Sequence, residues 1–128
     1  MNAATVTADV ADALAEIEAH YGRRASHEPD GQGGALVVIQ DVELPSSWGR
    51  KSASLQFIIP FNFPAIPPYP YYVPQNAQPP PPWHQALQPI EWRGEPMIQV
   101  SLRNVNWNAT KDNIVGCVMQ VSAWLRAQ

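Results

Sequence analysis

The chain has 128 residues, 45% hydrophobic and 15% charged, enough for one domain spanning 1–128 with its own core and too apolar for wholesale disorder. Its net charge is -3 and no basic run exceeds Arg23-Arg24, so the electrostatic footprint of a nucleic-acid binder is missing. A single cysteine excludes an internal disulfide and a thiolate zinc site, and no apolar stretch approaches the ~18 residues of a membrane span. A cytoplasmic protein with no membrane or nucleic-acid partner is expected.

Thr7 is placed to cap a helix, with Asp9 in its first turn. Val10, Leu14, Ile17 and Tyr21 form one apolar stripe, and Gly22 marks the stop, followed by Arg23 and Arg24. Ser26 to Gly34 holds Pro29, Asp30 and three glycines and reads as a loop. The β-branched run from Ala35 predicts a strand continuing to about Leu44. Pro45 to Lys51 then makes a hairpin connection to a second strand, Ser52–Ile59, in which Leu55, Phe57 and Ile59 share a face.

Twelve of the 14 prolines lie between Pro60 and Pro96. That band excludes helix and long interior strands. Tyr69 to Val73 is a third strand, with Pro70 confining it to an edge or requiring a bulge. Pro79 to Pro82 predicts a short polyproline II segment. Met97 to Leu102 reads as a fourth strand. Ala109 to Arg126 reads as a second helix capped by Asn108 or Thr110, its stripe being Ile114, Val118, Val121 and Leu125 with Cys117 and Trp124 adjoining. The expected fold is α+β: an N-terminal helix, an antiparallel sheet of three to four strands, a proline-rich crossing and a C-terminal helix.

Two segments carry a resemblance. Phe57-Ile58-Ile59-Pro60 leads into Phe63-Pro64, then Ala65-Ile66, then Pro67-Pro68, and ends in Tyr69-Pro70-Tyr71-Tyr72. This resembles a signature of ubiquitin-conjugating enzymes, in which prolines preset a rigid turn between strands and an aromatic anchors it to the core. Downstream, Met97 to Ala109 is similar to that family's active-site strand and its Trp-Ser-Pro segment, with Trp107 in the tryptophan position. The resemblance implies a UBC-like fold, of the shortened bacterial or cysteine-less variant type, ending after the family's first C-terminal helix.

The departures bear on function. The family's catalytic cysteine lies about eight residues before the tryptophan, and Gln99 stands there. A carboxamide cannot carry an acyl group as a thioester. The family's His-Pro-Asn motif is absent, and the first helix is acidic where relatives often use a basic one to recruit their activating enzyme.

Each remaining candidate has a plain reading beside a chemical one. Cys117, the only thiol, is expected to face the core as a small hydrophobe, the alternative being a substitute nucleophile. His84 is a loop histidine or a general base beside Gln99. Ser101 shares a face with Gln99 by alternation and could in principle form an oxyester. The three histidines show no HxH or HxxxH spacing, so neither metal nor cofactor is expected. Trp48, Trp83 and Trp107 are candidates for partner contact. The resemblance thus implies a non-catalytic binder of a ubiquitin-like protein, its activating enzyme or a conjugating partner. An active conjugating enzyme using Cys117 or another nucleophile, and an RWD-type interaction module, are the alternatives.

Overall fold

The computed structural model describes residues 5–103 and 106–128; Asn104 and Val105, inside the downstream motif, lie outside them. Helix α1 spans Ala8–Tyr21, and Thr7 Oγ1 accepts from Val10 N at 3.2 Å, as the cap requires. Its buried residues are Val10, Ala13, Leu14 and Ile17. Gly22 ends it at φ 59°, a conformation glycine adopts without a Cβ penalty. Strands β1 (Ala25–Pro29), β2 (Ala35–Glu43), β3 (Ser52–Ile59), β4 (Tyr71–Pro74), β5 (Leu87–Trp92) and β6 (Glu95–Val100) follow, then helix α2 (Ile114–Arg126).

All six strands join one antiparallel sheet in the order β1-β2-β3-β4-β6-β5. The expected three to four strands become six. Ala25–Pro29 is strand rather than loop: the loop begins only at Asp30, whose Oδ1 accepts from Gln32 N and Gly34 N. Leu87–Trp92 is strand despite Pro89, because β5 is an edge where a missing N–H leaves no ladder bond unmade. β4 begins after Pro70 and lies inside the sheet, so no edge position or bulge is needed there. β6 runs two residues earlier than expected, at Glu95–Val100.

The second helix is also shorter than its composition suggests. Asn113, not Asn108 or Thr110, caps α2, its Oδ1 accepting from Gly116 N at 2.8 Å. Asn108 and Thr110 instead belong to a preceding turn. Asn108 Oδ1 accepts from Thr110 N and Oγ1, and Asp112 Oδ2 accepts from Asn108 N. Short polar side chains bonding local backbone in this way compete with helix.

Residues opposite each other across the ladder share a face. The inner face carries Val37, Phe57, Tyr71, Val100 and Leu87 in one row and Val73 with Ile98 in the next. These pack with the α1 stripe and with Ile114, Val118, Val121 and Leu125 of α2 in one buried core. The outer face carries the row Gln56, Tyr72, Gln99 and Gln88. Between β3 and β4, Phe63 is buried in the core as the turn's anchor. The Phe63–Pro64, Tyr69–Pro70 and Pro81–Pro82 peptides are cis.

Candidate functional site

Gln99 sits in β6 between Tyr72 of β4 and Gln88 of β5, so its side chain points to the outer face, away from both helices. Its amide Nε2 donates to Ser101 Oγ at 3.1 Å. The two residues therefore share a face, as alternation requires, and the contact is one amide on one hydroxyl. A carboxamide is no base, so this pair leaves the Ser101 hydroxyl without the proton acceptor that nucleophilic attack needs.

His84 lies on the other side of the sheet. Its ring meets the Trp124 ring of α2 edge-on at 5.1 Å and 88°, and α2 packs on the inner face. Its Nδ1 accepts from Ala86 N at 2.9 Å, which fixes a tight turn into β5. The structure thus brings Gln99 and Ser101 together and keeps His84 on the helix-bearing side.

Cys117 is buried on the core side of α2, only 2% exposed. Burial pushes its thiol up to about 12, and the neighbouring Asp112 carboxylate acts in the same direction. A reactive cysteine requires the opposite environment. Tyr71, whose hydroxyl is buried without a hydrogen-bond partner among the described residues, has its ionisation raised by burial and by Cys117. A small space of about 130 Å³ beside the thiol is bordered by Lys111, Asp112, Asn113 and Gln120.

The three tryptophans separate. Trp48 is 2% exposed and belongs to the core, which removes it from any partner surface. Its loop folds inward because Gln78 N donates to the Trp48 carbonyl at 3.1 Å, tying the β2–β3 connection to the proline band. Trp83 is half-buried, and its indole Nε1 donates to the Pro79 carbonyl at 2.9 Å, so the proline run wraps its own tryptophan. Trp107 is half-buried as well, and it borders a groove.

Trp107 Nε1 donates to the Pro64 carbonyl at 2.7 Å, and its ring lies 5.9 Å from that of Phe63. This bond joins the segment before α2 to the loop between β3 and β4. Between them lies a groove of about 550 Å³ bordered by Ile58, Pro60, Ile66, Pro67, Tyr69 and Trp107, with Arg103 at its rim. The Arg103 guanidinium sits over the Tyr69 ring at 4.1 Å. Phe61, Ile66 and Tyr69 are 58%, 51% and 40% exposed on this one loop. The resemblance motif marked the loop, but its exposed apolar wall was not readable from spacing.

The described residues define an α+β domain with two helices on one face of a six-stranded antiparallel sheet and an apolar groove at the sheet's end. Comparison with protein-family models, curated proteins and solved structures returned no match. Among the described residues no group of three or more His, Cys, Asp or Glu is arranged to hold a metal ion, and no helix is long and apolar enough to cross a membrane.

Proposed function

We propose that this chain is a non-catalytic, ubiquitin-conjugating-enzyme-like protein. It binds or positions a ubiquitin-like protein, or the activating or conjugating enzyme that handles it, in a bacterial conjugation system. The observation that carries this reading is the placement of Gln99. The position that resembles the family's acyl carrier holds an amide already engaged by Ser101. The chain's only thiol is buried under α2 with its ionisation suppressed. Covalent acceptance therefore lacks a nucleophile, whereas recognition has a surface in the groove beside Trp107. An exposed cluster of large apolar side chains is the kind of feature that marks a protein contact.

The test is incubation with activating enzyme, ATP and the cognate ubiquitin-like protein, followed by a non-reducing gel and a pull-down. The expected result is stable non-covalent association without a dithiothreitol-labile band. Such a band, lost in Cys117→Ala, would make the protein an active conjugating enzyme instead.

A further inference from the structure

We propose that the groove between the Pro60–Tyr69 loop and Trp107 takes a polypeptide segment in which apolar side chains adjoin carboxylates. This rests on the protein-binding reading above and names the chemistry of the partner. The walls are apolar, and the charge at the rim is Arg103. Its guanidinium carbon lies 4.1 Å from the centroid of the Tyr69 ring, a cation–π contact that engages the group without using its N–H donors. No carboxylate among the described residues pairs with it; the ion pair found there is Arg93–Glu28. A guanidinium held over an aromatic ring, with no carboxylate partner among the described residues, suits bidentate capture of a carboxylate. The apolar wall beside it needs a side chain such as leucine or phenylalanine to displace water from Ile66 and Tyr69.

The groove is also preformed. Trp107 Nε1 ties its two sides together through Pro64, and Phe63 anchors the loop in the core. Binding therefore orders little of this protein, which favours affinity from a short segment. The chain as a whole carries a net charge of -3. Long-range electrostatics alone would select a basic ligand, so a preference for acid must come from the groove itself.

The experiment uses two short fluorescein-labelled peptides, one alternating leucine with glutamate and aspartate, the other with every acid replaced by lysine. Fluorescence anisotropy is read with the intact protein, with Arg103→Glu and with Ile66→Asp, both at exposed positions. The acidic peptide should bind at least about tenfold more tightly than the basic one, a difference set by one well-placed charge pair. Arg103→Glu should reverse that order, Ile66→Asp should abolish both, and amide shifts should centre on Tyr69 and the Trp107 indole. Equal affinities, a preference for lysine, no binding of either peptide, or a preference that survives Arg103→Glu would overturn the proposal. So would a concentration-dependent dimer that Ile66→Asp dissolves, since the occupant would then be a second copy. A dithiothreitol-labile adduct, by contrast, would end the non-catalytic reading while leaving the peptide result standing.

Discussion

Arg93, in the turn joining β5 and β6, donates to Glu28 of β1 at 2.8 Å, although those strands are opposite edges of the sheet. The hairpin tip must therefore fold across the outer face. There Trp92 stacks on Tyr72, with centroids 3.9 Å apart and planes within 8°. Leu36 and Met97, both on the outer face, are buried at 5% and 3% exposure. The outer face is thus partly core, which explains why β2 reads as apolar on both sides.

The ion pair and the stack should differ in weight. Glu28 and Arg93 are each half exposed, so Arg93→Ala should lower the unfolding free energy by less than about 1 kcal/mol. Trp92→Ala removes the ring that covers Tyr72 and should cost about 2–3 kcal/mol. Urea denaturation of both variants measures this. Equal losses would mean that charge, not apolar cover, holds the hairpin down.

Gly34 closes the β1–β2 turn where no side chain fits. A Cβ there would collide with the Ile59 carbonyl and lie 2.8 Å from Asp30 Oδ2 and 3.2 Å from Phe61 N. Two of those three neighbours are backbone, so relief requires moving β3 or the loop after it. Gly34→Ala should destabilise by about 2–3 kcal/mol, as overpacking does. Thermal unfolding followed by circular dichroism would register the change, and an unshifted midpoint would contradict the close approach.

Stability should fall at alkaline pH. The Cys117 thiol is pushed from 9.0 up to about 12 by burial and Asp112. Between those values the unfolded chain has released a proton that the folded chain keeps, so unfolding gains as pH rises. The slope approaches about 1.4 kcal/mol per pH unit at most. Tyr71 is shifted in the same direction from 10.0 and adds to the loss at higher pH. Cys117→Ala should flatten, without abolishing, the fall between pH 9 and 10, where tyrosine ionisation also sets in. Urea melts at pH 7, 9 and 10 decide it: identical slopes in both proteins would show that the thiol ionises within the fold.

Trp107→Phe keeps an aromatic ring beside Phe63 but loses the 2.7 Å bond to the Pro64 carbonyl. The expected cost is about 1–2 kcal/mol, typical of a lost hydrogen bond with a partner left behind. The groove should loosen with it, seen as faster amide exchange from Phe63 to Ile66. Unchanged exchange would mean that Phe63 alone holds the loop.

Much of this frame was legible because periodicity and punctuation act locally. Thr7, the stripe from Val10 to Tyr21, and Gly22 mark α1 through contacts made within a few residues. The pattern Ile114, Val118, Val121 and Leu125 likewise exposes the buried side of α2, and with it Cys117. β1 is not legible because four of its five residues are exposed, so no alternation betrays it. β5 is hidden because Pro89 argues against a strand until an edge position is known. The start of α2 is hidden because Asn108 Oδ1 accepts from Thr110 N and Asp112 Oδ2 accepts from Asn108 N, a turn that looks like a cap.

The site divides along the same line. Gln99 and Ser101 could be paired by counting alone, since residues two apart on a strand must share a face. Which tryptophan is buried and which lines the groove could not be counted. Trp48, Trp83 and Trp107 are chemically alike, and their fates depend on partners 30, 4 and 43 residues away: Gln78, Pro79 and Pro64. Burial is a property of what the rest of the chain places over a side chain. Local chemistry could therefore name the missing thiol, while folding alone chose where the open apolar surface lies.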